Sequence, residues 1–139
     1  MKKVMKFIPV LILMITTSCA VQKGDSNIKE VVFNAHTRGN SETITLVNNN
    51  VFYKTQKDSK TFFINKAQRE ELETLVSKID LKGIADLKAP SGKRLFDGAM
   101  HAAVTLKVAD KTYVSASFDD DNPPAELKPL VDLLRGFTK

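Results

Sequence analysis

The sequence predicts an α+β fold, in which an antiparallel sheet of about five strands carries two helices on one face. Stretches with an apolar residue at every second position predict strands, and stretches with apolar residues three and four apart predict helices. These elements follow in the order β-β-β-α-β-β-α, with no β-α-β alternation spanning the chain. Because parallel strands need such crossovers, this order favours antiparallel pairing with the helices segregated to one side.

The first three strands are predicted from alternation and from one turn. Residues 30–38 form a half-buried strand, because alternate residues from Val31 to Ala35 are apolar. Two β-rich runs, residues 42–47 and 51–55, are separated by three asparagines. Asparagine tolerates the positive φ of tight turns, so these two runs predict a hairpin.

The first helix is predicted to begin after Asn65. Its side chain can accept a hydrogen bond from a first-turn amide, and Gln68 stands where a capping box needs it. The apolar stripe that follows consists of Leu72, Leu75, Val76 and Ile79. This spacing has the helical period, so core packing explains the stripe without any ligand.

A second hairpin and a closing helix are predicted in the last third of the chain. Apolar residues alternate over residues 100–118 on both sides of a turn at 109–111. Pro129 cannot donate a backbone hydrogen bond, so we expect a short turn over 124–128 and a helix restarting at this proline. We interpret the acidic run at 119–122 as the N-terminus of the closing helical segment, where Asn122 would cap and the dipole favours negative charge.

The first 18 residues are typical of an export signal that is removed. Three lysines precede an apolar run about half as long as the ~20 residues that a membrane-spanning helix needs. Small residues then precede Cys19, the only cysteine of the chain. This junction resembles the lipobox of bacterial lipoproteins, whose cysteine carries lipid such as palmitate and becomes the new N-terminus. The alternative is an ordinary secretory signal cleaved after Ala20.

We therefore expect residues 1–18 to be a lipoprotein signal peptide, 19–27 a tether and 28–139 a single α+β domain. Acylation of Cys19 would remove a free thiol that is a liability in an oxidising compartment. Cleavage before Cys19 would lower the formal net charge from +5 to +2, and no basic stripe remains to favour nucleic-acid binding. The expected location is the inner or outer membrane of a gram-negative-type cell envelope.

A loop over residues 88–99 contains the charged side chains that are most informative about a site. We expect an internal clamp, in which Arg94 or Arg38 pairs with Asp97 or Asp119 and keeps the loop ordered. The alternative is an anion-recognising loop, because an arginine fork and a lysine suit a carboxylate or a phosphate. The candidates for either role are Arg38, Lys93, Arg94, Asp97 and Asp119.

Two histidines are predicted on the solvated faces of strands. With Asp97, His36 and His101 could form a metal site or an acid–base pair. Neither histidine lies in a ligand-spaced motif, and the run at 119–122 lacks the spacing of a calcium loop. We therefore expect ordinary exposed histidines, with no metal, no cofactor and no catalytic residue.

Three blocks of sequence are distinctive: HTRG at 36–39, LKAPSGKRLFDGA at 87–99 and FDDDNPPAELKPLV at 118–131. They resemble a family of small Bacteroidota-type lipoproteins whose activity is uncharacterised. The resemblance extends from about residue 30 to the end and implies an exported, membrane-anchored domain, without catalytic residues to transfer.

The expected function is that of a non-enzymatic binding or envelope-structural module. Its partners would be the membrane, through lipid on Cys19, and an envelope protein or glycan. One alternative is a small periplasmic hydrolase that uses a histidine with Asp97. Another is an inhibitor that presents the loop over 88–99 to the cleft of a secreted enzyme.

Overall fold

The computed structural model describes residues 27–139. The predicted signal peptide, Cys19 and all but the last residue of the predicted tether lie outside the described residues. The elements are β1 (Ile28–Thr37), β2 (Asn40–Val47), β3 (Asn50–Thr55), β4 (Ser59–Phe63), α1 (Lys66–Ser77), β5 (His101–Val108), β6 (Lys111–Val114), β7 (Phe118–Asp119) and α2 (Lys128–Gly136). Short 3-10 turns cover Ile84–Asp86 and Lys93–Phe96.

All the strands join one antiparallel sheet in the order β4-β3-β2-β1-β5-β6, with β7 pairing with β5. This arrangement confirms the α+β class and the antiparallel sheet. The predicted count of about five strands is wrong, because the described residues form seven. The alternation rule missed β7 because it has two residues, and it missed β4 because nearly all of that edge strand is exposed.

One face of the sheet packs against both helices. The alternation predicted for β1 is confirmed, since Val31, Phe33 and Ala35 are fully buried. The buried residues of the neighbouring strands and of the helices include Ile44, Leu46, Val104, Leu106, Leu72, Val76, Leu130, Val131 and Leu134. Each fully buried aliphatic side chain contributes roughly 1.5–3 kcal/mol, so this layer stabilises the packing of the helices on the sheet.

The start of α1 is fixed both locally and at long range. The predicted capping box is confirmed: Gln68 N donates to Asn65 Oδ1 at 2.9 Å, and Asn65 N donates to Gln68 Oε1 at 2.9 Å. Arg69 then donates to the carbonyls of Asn48 at 2.7 Å and Ile28 at 2.9 Å. Asn48 has a φ of 54° in the turn of the predicted hairpin. The helix is thereby tied to this turn and to the start of β1.

The helix α2 begins at Lys128 after a turn over residues 125–127, close to the predicted arrangement. Pro129 lies in its first turn, where an amide has no helical partner to lose. The interpretation of residues 119–122 as the beginning of this helical segment is wrong. Asp119 belongs to β7, and the residue before the helix is Leu127, which makes no side-chain cap.

The length of β1 separates two ends of the sheet. At the proximal end, the carbonyl of Asn27 accepts from Ala109 N at 2.8 Å in the β5–β6 turn. At the distal end lie the β1–β2 turn at Arg38 and Gly39, the start of β5 at His101, and the loop over 88–99. A strand of ten residues at about 3.3 Å per residue places the two ends about 30 Å apart.

Candidate functional site

An open basin of about 590 Å³ lies at the distal end of the sheet. The residues around it include His36, Arg38, Arg94, Leu95, Asp97 and His101. They come from the end of β1 with its turn, from the loop over 88–99, and from the start of β5. The fold therefore brings both histidines together with three of the five residues predicted to form a clamp or an anion-recognising loop. The other two, Lys93 and Asp119, do not line the basin.

The two histidines lie directly opposite each other on β1 and β5. Their rings are stacked, with centroids 5.9 Å apart and an interplanar angle of 26°. Within residues 27–139, neither imidazole is hydrogen-bonded to a carboxylate. In the same part of the chain, no group of three or more histidine, cysteine, aspartate or glutamate side chains is arranged to hold a metal ion.

The buried carboxylate of Asp119 holds the loop beside the basin. It accepts hydrogen bonds from Ser91 Oγ at 2.6 Å, from the backbone amides of Lys93 at 2.8 Å and Arg94 at 3.0 Å, and from Arg94 Nη1 at 3.1 Å. Arg94 Nη1 also donates to the carbonyl of Ser91 at 2.8 Å. The carboxylate thus binds two amides that begin the 3-10 turn, and the guanidinium compensates its charge.

These contacts determine the ionisation of Asp119. Burial raises the pKa of this carboxyl, but the hydrogen bonds from Ser91, Arg94 and Lys93 outweigh burial and hold the pKa well below its usual range. Asp119 is therefore a carboxylate at neutral pH, and its interaction with Arg94 is an ion pair.

The next two aspartates each have a different cationic partner. Asp121 pairs with Lys93 Nζ at 2.8 Å, and the hydrogen bond and charge of this carboxylate raise the pKa of Lys93. Asp120 accepts from the amide of Met100 at 2.8 Å and pairs with Arg135 Nη2 at 3.4 Å. Asp119 and Asp121 therefore both hold the loop over 88–99, whereas Asp120 connects the start of β5 to α2.

Arg135 connects α2 to the sheet, and sequence reasoning did not single it out. Its Nη2 atom donates to Glu42 Oε2 at 2.9 Å, Nη1 donates to the carbonyl of Asp120 at 2.9 Å, and the guanidinium carbon lies 4.9 Å from the centroid of the Phe33 ring. A basic residue in the last turn of an amphipathic helix was the available signal. Ser91 was also missed, and a serine between a proline and a glycine carries no specific signal.

Several side chains around the basin have no comparable structural role. Among the described residues, the side chains of Arg38 and Asp97 make no hydrogen bond or ion pair. Beside them, Leu95 is 67% exposed and Phe96 is 85% exposed, although both are large and apolar. Leu95 and Phe96 are called the apolar tip below, and the basin together with this tip is called the distal surface.

Comparisons with protein-family models, with curated proteins and with solved structures gave no match to this chain. Between Asn27 and Lys139, neither helix has the length and apolarity that a membrane crossing requires.

Proposed function

We propose that this protein is an exported lipoprotein, anchored to a membrane of a gram-negative-type cell envelope through lipid on Cys19, whose domain is a non-enzymatic binding module. The basic start, the short apolar run and the single cysteine support the anchor. The distal surface is the binding surface.

One observation carries the binding role: a buried ion pair holds an exposed apolar tip in place. Burying a carboxylate costs several kcal/mol of solvation, which here is offset by four hydrogen bonds and the charge of Arg94. The tip that this arrangement holds gains nothing from burial, because Leu95 and Phe96 face solvent. A tip that is already ordered loses little conformational entropy when a partner covers it, which favours binding.

The distinctive sequence blocks support the same conclusion because they meet at the distal end. The block at 36–39 supplies His36 and Arg38, and the block at 87–99 supplies the apolar tip. The third block supplies Asp119, which holds the tip. Segments far apart in the chain thus contribute to one surface.

The position of this surface suits an anchored protein. The predicted tether joins the domain at Asn27, at the proximal end, and the distal surface lies about 30 Å away along β1. A lipid on Cys19 would therefore attach through the tether at the proximal end, which allows the distal surface to face the aqueous compartment.

The geometry supports binding more strongly than hydrolysis. A histidine that acts as general base is normally oriented by a carboxylate within hydrogen-bond reach. In the described part of the chain, His36 and His101 stack on each other instead. The basin is also open to water. An inhibitor that inserts the loop into an enzyme's cleft would be one form of the proposed binding module.

Two experiments test the proposal. Cys19→Ala should move the protein out of the detergent-extracted membrane fraction or leave it as an uncleaved precursor.

A photo-crosslinking amino acid at position 96, introduced in the native envelope, should capture a partner that the same amino acid at position 63 does not. Phe63 is a matched control because it is also exposed, at 77%, but lies at the proximal end. Wild-type protein in the soluble fraction would contradict the anchor, and equal capture at both positions would contradict the binding surface.

A further inference from the structure

We infer that the distal surface binds a segment of a partner protein that presents a carboxylate side chain next to an apolar side chain. This inference rests on the proposed function and adds the chemistry of the partner. The carboxylate occupies the basin, and the apolar side chain packs on the apolar tip.

The hydrogen-bond donors around the basin favour a carboxylate. Arg38 is exposed on the β1–β2 turn, and its guanidinium has no internal partner among the described residues. The stacked imidazoles of His36 and His101 add ring nitrogens that can donate on the same side of the sheet. A planar guanidinium matches a carboxylate with two parallel hydrogen bonds, so Arg38 is the primary contact.

Asp97 favours a peptide over a phosphate group. It lines the same basin as Arg38, and its carboxylate has no internal hydrogen bond among residues 27–139. A phosphate carries more negative charge than a carboxylate and would be repelled more strongly by Asp97. A peptide brings backbone N–H groups beside its acidic side chain, and these can donate to Asp97. The basin therefore offers hydrogen-bond partners both to the acidic side chain and to the backbone N–H groups of a peptide.

The apolar tip supplies the second part of the recognition. Aromatic and arginine side chains dominate the binding energy of protein interfaces, and Phe96 and Arg38 are the exposed examples at this end. Asp119 binds the amides of Lys93 and Arg94 immediately before the apolar tip. These hydrogen bonds fix the position of the apolar tip relative to the basin. The carboxylate and the apolar side chain of the partner must therefore lie a few residues apart.

The charge beside the tip argues against insertion into the anchoring bilayer. Insertion of Phe96 would bring the unpaired carboxylate of Asp97 close to the phosphates of lipid headgroups. The favoured occupant is therefore a protein segment in the aqueous compartment.

The test begins with a random dodecapeptide library displayed on phage. The library is selected against the mature lipidated protein in detergent micelles, after depletion on the Arg38→Gln variant. Enriched peptides are then synthesised and titrated by fluorescence anisotropy. We expect the enriched peptides to share an aspartate or glutamate within a few residues of a large apolar residue.

Matched variants locate the two contacts. Arg38→Gln and Phe96→Ala should each weaken binding about 10- to 100-fold, the range of a lost charge-assisted hydrogen bond or of an aromatic contact. Lys111→Gln and Phe63→Ala remove a comparable exposed cation and an exposed phenylalanine at the proximal end, and should change affinity less than about twofold. Replacing the acidic residue of the peptide by its amide should weaken binding to wild type. The same replacement should leave binding to Arg38→Gln unchanged, because that variant has already lost the ion pair between the peptide carboxylate and Arg38.

Several outcomes would overturn the inference. These are enriched peptides without an acidic residue, no enrichment over Arg38→Gln, and equal affinity for wild type and Arg38→Gln. Phe96-dependent sedimentation with phosphatidylglycerol vesicles would assign the tip to a bilayer, and a Phe96-dependent dimer in analytical ultracentrifugation would assign it to a second copy. Crosslinking confined to position 96 in the envelope would still support the proposed binding function in each of these cases.

Discussion

Both ends of the sheet carry charged side chains of either sign, but the side chains around the two depressions differ in their pairing. A depression of about 480 Å³ at the proximal end is surrounded by residues that include Lys29, Glu30, Lys107 and Asp110. These pair with one another: Lys29 with Asp110 at 3.2 Å, and Lys107 with Glu30 at 2.9 Å. At the distal end, Arg38 and Asp97 line one basin, and neither has such a partner among the described residues. Charge content alone therefore does not identify a binding surface, whereas unpaired charge on an ordered frame is informative.

Two of the exposed phenylalanines, one at each end of the sheet, differ in the same way. Phe63 lies on β4, where pairing with β3 holds the backbone regardless of what the side chain does. Phe96 lies in a loop that has no strand partner, and hydrogen bonds to the buried carboxylate of Asp119 help to order that loop. An exposed phenylalanine on an edge strand is a by-product of the sheet. The loop that carries Phe96, in contrast, is held in part by a buried ion pair.

The largest effect is expected for Asp119→Ala. This substitution removes the acceptor of the Lys93 and Arg94 amides and the counter-charge of the Arg94 guanidinium, so it should lower the urea midpoint of unfolding more than the loss of any exposed charged side chain does. Amide exchange at residues 93 and 94 should also become faster. Asp110→Ala at the proximal end is the control, and because its side chain is 98% exposed it should change the unfolding free energy by less than about 0.5 kcal/mol. Similar midpoints for the two variants would contradict the difference between the ends.

Acid should weaken the distal end through the same carboxylate. The pKa of Asp119 is lowered in the folded state, so its stabilising contribution is complete above the pKa of about 3.9 of an unfolded aspartate and declines as the pH falls below that value. The unfolded chain binds the proton more readily in that range, so acidification favours unfolding. Urea titrations between pH 7 and pH 3 should therefore show a decline that is shallower in Asp119→Asn. Identical pH profiles would show that other carboxylates cause the decline.

Removing one cation at each end tests which of the two ion pairs stabilises the fold. Arg94→Ala should cost roughly 1–3 kcal/mol of unfolding free energy, because the buried Asp119 loses a charged donor and keeps only neutral ones. Lys107→Ala should cost less than about 1 kcal/mol, because its partner Glu30 remains accessible to water. Thermal unfolding of both variants in the same buffer checks the ranking. A larger effect of Lys107→Ala would reverse the assignment of the structural ion pair.

Local patterns explain why much of the fold was predictable from the sequence. The alternation in β1, the hairpin turn at Asn48 and the capping box of Asn65 and Gln68 each depend on residues close together in the chain. The strand β4 was not predictable, because an edge strand exposed on both faces has no apolar period. The two residues of β7 are placed by pairing with β5, which is a long-range property.

The site was only partly predictable for the same reason. Residue types indicated a charged cluster at the loop over 88–99, and either Arg38 or Arg94 could pair with either Asp97 or Asp119. The pairing of His101 with Asp119 in the sheet places this aspartate beside Arg94, and no local pattern encodes that register. The acidic run at 119–122 was misread as a helix start because three adjacent aspartates suit a helix N-terminus locally. Tertiary contacts instead give each of them a separate cation.

The smallest effects on stability are expected for Arg38→Gln and Asp97→Asn. Each side chain is exposed and makes no internal ion pair or hydrogen bond among the described residues, so each substitution should change the unfolding free energy by less than about 0.5 kcal/mol. Asp97 has a φ of 57°, and asparagine tolerates this conformation as well as aspartate does, so the backbone of the loop is also preserved. The double variant should be additive, because neither side chain depends on the other for its position. Chemical denaturation measures all three variants.

A loss of 1 kcal/mol or more in either single variant would give that residue a structural role and remove it from the binding surface. Near-zero values, beside the loss expected for Arg94→Ala, would separate the side chains that hold the distal surface from those available to a partner.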